Sequence, residues 1–131
     1  MNTNLFKISP QVPLRLGLAL TYFYSGSGMI REPESWSWYI PSWIIDLVTQ
    51  VTTVNTYLMV QGIGEVLIGL LLLSWFLSPK FVRVLACLGT FHIASILLLV
   101  GLDPSTFRDF GLLGAWVALA LLAHKQTGLT K

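Results

Sequence analysis

Four long apolar stretches constrain this chain more than any other feature: Pro13–Ile30, Leu58–Leu77, Phe81–Leu102 and Phe107–Ala123. Each is close to the ~17–25 residues a helix needs to cross ~30 Å of hydrocarbon. Tilt or an adjoining polar turn accommodates the shorter ones. In 131 residues they leave room for little else: 54% of the chain is apolar, 11% is charged, and mean hydropathy is +0.72. A soluble domain carries about 25% charged residues. The expectation is an all-α polytopic membrane protein, a four-transmembrane-helix bundle forming one domain over residues 1–131.

The first stretch has some marks of a secretory signal, with Lys7 and Arg15 before an apolar run and "SGSG" after it. Arg15 abuts that run, however, and Tyr22, Phe23 and Tyr24 crowd the supposed cleavage site. It is read as a retained span.

Charges sort by side. Lys7, Arg15, Lys80, Arg83, Lys125 and Lys131 fall at the two termini and between the second and third stretches, with no acidic residue among them. Arg31 and Arg108 fall on the other side, with Glu32, Glu34, Asp46, Asp103 and Asp109. This asymmetry predicts both termini in the cytoplasm. It is a retention signal and points to no nucleic-acid partner. Arg15 and Arg83 are expected to snorkel to the cytoplasmic surface.

Ser9-Pro10, Ser78-Pro79 and Asp103-Pro104 read as helix starts, a capping side chain followed by proline at the first helical position. The fourth helix is then expected to begin near Pro104, with Arg108 and Asp109 one to two turns inside it. The long connection "EPESWSWYIPSW" carries Trp36, Trp38, Tyr39 and Trp43, the aromatic composition of a membrane–water boundary. After Pro41, the residues Trp43, Ile44, Leu47, Val48 and Val51 recur at helical spacing, which predicts a short amphipathic helix in the interface. The β-branched run Val51–Val54 weakens it. Cys87 is the single cysteine, which rules out a dithiol mechanism within this chain; it is expected as a small buried residue.

Glu65 is the residue that needs explaining. A carboxylate in hydrocarbon costs about 2.5–3.5 kcal/mol even on a lenient scale, so it should face the bundle interior. Gln61, Gly62, Glu65 and Gly69 form one small and polar stripe against which another helix can pack. At ~1.5 Å per residue, Glu65 lies about 12 Å, His92 about 15 Å, and Tyr22 and Tyr24 about 9–12 Å below the outer boundary. Arg108 and Arg31 can reach inward from nearer the surface. Gly89 shares a face with His92, while Gly111, Gly114, Ala115 and Ala118 form a packing face on the last stretch.

Several readings fit these residues. Glu65 and Arg108 can form a structural pair that fixes helix register. Glu65, His92, Arg108, Tyr22, Tyr24, Gln61 and Arg31 can instead line a small-molecule pocket and serve as hydrogen-bonding or proton-transfer groups. A metal site falls short, since one Glu and one His do not make a shell of three or four ligands and His124 lies at the far end. A non-catalytic scaffold or assembly subunit, or a small-solute transporter built by oligomerisation, also remains open.

The segments "RLGLALTYFYSGSGMIREPESWSWYIPSW", "GIGEVLIGLLLL" and "FRDFGLLG", in this order, resemble the DoxX/DoxD-like family of small bacterial four-helix membrane proteins. The resemblance covers nearly the whole chain and highlights Arg15, Gly17, Gly26, Gly62, Glu65, Gly69, Arg108 and Asp109, with Arg31 where lysine is often found. It implies a bacterial inner-membrane location. Some members are membrane subunits of a thiosulfate:quinone oxidoreductase, and others associate with redox-stress enzymes. The resemblance thus implies a redox-linked subunit with a quinone as the ligand, no intrinsic cofactor, and a protein partner or a second copy supplying the other half of any reaction.

Overall fold

The computed structural model describes residues 9–101, 104 and 106–128. Helix α1 spans Gln11–Arg31, a 3-10 helix covers Pro33–Tyr39, and the short α2 covers Ser42–Val48. Three long elements follow: α3 (Val54–Leu73), α4 (Pro79–Val100) and, after a 3-10 turn at Thr106–Arg108, α5 (Asp109–Gly128). Among the described residues there is no strand.

Local chemistry sets most of these boundaries. Ser78 caps α4, its hydroxyl accepting from the Phe81 N–H at 3.4 Å, with Pro79 in the first turn as expected. Thr53 caps α3 in the same way from the Thr56 N–H at 3.2 Å, so this helix starts four residues before the apolar stretch at Leu58. It also ends earlier, at Leu73 rather than Leu77, because the Leu72 carbonyl at its terminus is taken by a side chain of α1. Asp103 lies outside the described residues. The fourth long helix proper begins at Asp109 and not near Pro104, so Arg108 and Asp109 stand at its mouth rather than one to two turns within it.

The interfacial segment divides in two. A 3-10 turn carries Trp36, Trp38 and Tyr39 ahead of the expected helix. Helix α2 ends at Val48, short of the expected Val51. Ile44 and Ile45 pack on the cluster of Met29, Ile40 and Leu58, while Trp43, Leu47 and Val51 are exposed.

Two antiparallel helix pairs, α1 with α3 and α4 with α5, build the bundle, and α1 joins them by packing on α5. The α1/α3 pair closes on glycine. A Cβ added to Gly26 would lie 2.6 Å from the Gly62 carbonyl oxygen, and one added to Gly62 would lie 2.6 Å from that of Gly26. About two turns further along α3, Gly69 seats the ring of Phe23, which a Cβ added there would meet at 3.1 Å. In the other pair Gly89 receives the indole of Trp116, which is wholly buried. Gly111 and Gly114, expected on a packing face, meet no neighbour within 4 Å and are exposed. The main core gathers Leu18, Tyr22, Leu72, Leu85, Trp116 and Leu119.

Three helical segments are long and apolar enough to cross a membrane: Val54–Leu73, Pro79–Val100 and Thr106–Gly128. Val60, Leu67, Leu70, Leu88, Phe91, Leu98 and Leu121 on these segments are exposed. The 21 residues of α1 give it the length, but Arg15, Thr21, Ser25 and Ser27 keep it out of that set. Cys87, expected to be buried, is exposed on α4.

Candidate functional site

The close approach of Gly26 and Gly62 decides where Glu65 goes. One turn along α3 from the contact, its side chain is buried against α1. There it meets Ser25, whose hydroxyl donates to Glu65 Oε2 and also faces the Thr21 carbonyl at 3.1 Å. A serine hydroxyl can donate to a carboxylate or accept from a carboxylic acid. The Ser25–Glu65 contact therefore survives the gain or loss of a proton.

A second polar group faces this one from the other helix pair. Trp116 Nε1 donates to the Tyr22 hydroxyl at 3.2 Å, and the same hydroxyl lies 3.3 Å from His92 Nδ1. Indole N–H can only donate, so the phenol oxygen accepts there and its own proton is available to Nδ1. In that arrangement the imidazole proton sits on Nε2, whereas a phenol that accepts from both neighbours would leave it on Nδ1. The Tyr22 ring stands edge-on to Trp116 at 5.6 Å, and this locks its position.

The 3-10 helix lies along the edge. Gln61 Nε2 donates to the Tyr39 hydroxyl at 3.4 Å, and that hydroxyl lies 3.9 Å from Met29 Sδ. Trp36 and Trp38 flank Tyr39 edge-on, at 6.2 and 6.1 Å. Burial pushes the Tyr39 phenol well above the ordinary tyrosine range, and the nearby Glu65 adds to the effect.

These groups line a half-open cavity of about 520 Å³ between α1, α3, α4 and α5, with the 3-10 helix along its edge. Its size lies within the range of small-molecule sites, and its walls are largely apolar and aromatic. Tyr22, Gln61, Glu65, His92 and Arg108 all line it, as the sequence suggested. Tyr24 also reaches it, at the rim, with 77% of the side chain exposed. Arg31 is exposed at the end of α1 and does not line it. The Glu65–Arg108 pair, one of the readings open from sequence, is not formed: the carboxylate takes Ser25, and Arg108 is exposed in the 3-10 turn before α5. Gly111, in place of packing, borders the cavity.

Arg15 does not snorkel to the surface. It is 4% exposed, with Nε donating to the Leu72 carbonyl at 2.6 Å and Nη2 to the Ser74 carbonyl at 2.8 Å. Trp75 covers the guanidinium at 4.4 Å. Arg15 is thus the side-chain cap of α3, which leaves orphan carbonyls at its end.

Ser25, Trp116 and Thr21 were missed by reasoning from sequence. Ser25 had a readable signal, since it follows Tyr22 by three and precedes Met29 by four on the inward side of α1. Trp116 had none, because an indole inside an apolar run does not reveal its N–H partner. No family model, no curated protein and no solved structure matches the chain.

Proposed function

We propose that this chain is a DoxX/DoxD-like integral membrane protein of the bacterial inner membrane, with four spans and both termini cytoplasmic, whose cavity binds a quinone-like or other small, largely apolar ligand beside Glu65. The fourth span in this reading is α1. Arg15 at one end touches Leu72 and Ser74, Phe23 touches Gly69, and Gly26 touches Gly62, so α1 lies antiparallel along α3 for most of its length. If α3 crosses the bilayer, α1 crosses beside it, its polar residues turned toward the bundle.

The observation that carries the ligand reading is the convergence of Glu65 with Ser25, and of His92 with Tyr22, on one apolar cavity. A quinone fits that set: aromatic walls for its ring, and polar groups on two sides for its oxygens. Bound there, a quinone would supply a two-electron, two-proton acceptor. Glu65 and His92 would hold its oxygens and pass protons, each backed by a hydroxyl that keeps its geometry. The electrons come from a partner protein, since the lone Cys87 offers no dithiol. The protein is accordingly a redox-linked membrane subunit rather than a complete enzyme. The alternative, a non-catalytic scaffold, would rest on the Ser25–Glu65 contact in place of a Glu65–Arg108 pair.

The test is mass spectrometry of small molecules co-extracted with the protein in mild detergent, comparing wild type with Glu65→Gln. A quinone held near stoichiometry by wild type and lost by a folded variant supports the reading. The absence of any specific ligand from both, with the variant less stable, sinks it and leaves Glu65 a structural residue.

A further inference from the structure

At the opposite end of the bundle, α4 and α5 leave a second cleft, of about 770 Å³, open to the surroundings. Lys80, Arg83 and His124 line it together with the apolar Val84, Cys87 and Leu88. We propose that this cleft binds an anionic phospholipid, with the phosphate on Lys80, Arg83 and His124 and an acyl chain along Val84, Cys87 and Leu88. The proposal does not depend on the cavity ligand.

Three observations carry it. The first is charge. The acidic residues of the chain are Glu32, Glu34, Asp46, Glu65, Asp103 and Asp109, and among the described residues none lines this cleft. Lys80 and Arg83 are exposed, with no carboxylate of the cleft to occupy them. The second is polarity along the cleft. The eight-residue step from Lys80 to Leu88 is about 12 Å of helix, and over that distance the lining passes from cations to Val84 and Leu88, exposed by 57% and 62%. A phospholipid changes from phosphate to hydrocarbon over a similar depth. The third is geometry. The polar groups come from two helices, Lys80 and Arg83 from α4 and the His124 imidazole, a hydrogen-bond donor, from α5, and all three line the one cleft. Arg83 supplies a planar fork suited to phosphate oxygens and Lys80 a point charge. Basic pockets between helices are the expected seat of acidic headgroups.

The experiment is native mass spectrometry of the full chain in detergent, titrated with dioleoyl phosphatidylglycerol or dioleoyl phosphatidylcholine. Wild type is compared with the double variant Lys80→Gln/Arg83→Gln and with Lys125→Gln, an exposed α5 charge outside the cleft. Near-surface lysine and arginine contribute about 1 kcal/mol each to anionic-lipid binding. The double variant should therefore bind phosphatidylglycerol about tenfold to thirtyfold more weakly. Lys125→Gln should bind as wild type does, and phosphatidylcholine should not distinguish the three. An unchanged preference in the double variant overturns the proposal. Equal loss in Lys125→Gln also overturns it, since the attraction would then be diffuse. Full displacement of the lipid by inorganic phosphate, or a cleft filled by a second copy at all lipid levels, does so as well. Equal thermal midpoints for the three proteins exclude misfolding as the cause.

Discussion

Ser25 on α1 donates its hydroxyl proton to the carboxylate of Glu65 on α3, and this contact joins the two helices at the cavity wall. Loss of one partner leaves a buried polar group without its bond, at a cost of about 1–3 kcal/mol. Ser25→Ala and Glu65→Gln should each destabilise the bundle, but the second less, because an amide oxygen still accepts from Ser25. In a double-mutant cycle of Ser25→Ala with Glu65→Ala, each of which removes the contact, read by thermal unfolding in detergent, the pair should show coupling of about 1–2 kcal/mol. Additivity to within about 0.5 kcal/mol would mean that the contact contributes nothing.

The glycines on α3 separate by what they face. Alanine at Gly62 places a methyl 2.6 Å from the backbone oxygen of Gly26, where no side chain can yield. The helices must part, at an overpacking cost of about 1–3 kcal/mol. Alanine at Gly64 meets nothing within 4 Å. Thermal unfolding should thus show Gly62→Ala well below wild type and Gly64→Ala at or above it. If the two variants melt together, the close approach of α1 and α3 is wrong. Gly62→Ala should also weaken any cavity ligand, because parting the helices draws Glu65 away from Ser25.

Much of this architecture was legible in the sequence because membrane helices announce themselves by length and apolarity alone. The stripe of Gln61, Gly62, Glu65 and Gly69 pointed correctly to a helix contact, since a buried carboxylate beside glycines has few other places to be. Its partner was not legible. Depth counting allowed Arg108 on grounds of charge, whereas the fold supplies Ser25, a residue whose hydroxyl carries no long-range signature. Gly111 and Gly114 misled for a related reason: small residues permit close packing but do not require it, and on α5 the Trp116 side of the helix packs instead. Arg15 misled because snorkelling and helix capping place a basic residue at the same depth. Only the course of α3, folded back against α1, distinguishes them.

Arg15 offers a sharp test of that distinction. Its guanidinium spans two carbonyls, at 2.6 and 2.8 Å, and a lysine ammonium cannot reproduce this fork. Arg15→Lys should cost about 1.5–3 kcal/mol, although charge and approximate length are kept. The matching change Arg83→Lys, at an exposed position, should fall within about 0.5 kcal/mol of wild type. A snorkelling arginine would tolerate lysine at both sites, so equal melting of the two variants refutes the capping role.

The last prediction concerns the histidine. Trp116 is wholly buried, and its N–H has the Tyr22 hydroxyl as acceptor at 3.2 Å. If the phenol proton goes to His92 Nδ1, 3.3 Å away, the ring proton belongs on Nε2. Nitrogen NMR of isotope-labelled histidine distinguishes the two tautomers. Wild type should show His92 protonated at Nε2, and a dominant Nδ1–H form would show that the phenol accepts from both neighbours instead. Tyr22→Phe removes the director, so the His92 tautomers should become mixed while Trp116 loses its acceptor, at about 1–3 kcal/mol of stability. Adding Trp116→Phe removes the orphaned donor and should recover part of that loss without restoring the tautomer. Stability and imidazole protonation would then separate, and the Tyr22 hydroxyl would be shown to serve both: it fills the core for Trp116 and sets which nitrogen of His92 carries the proton.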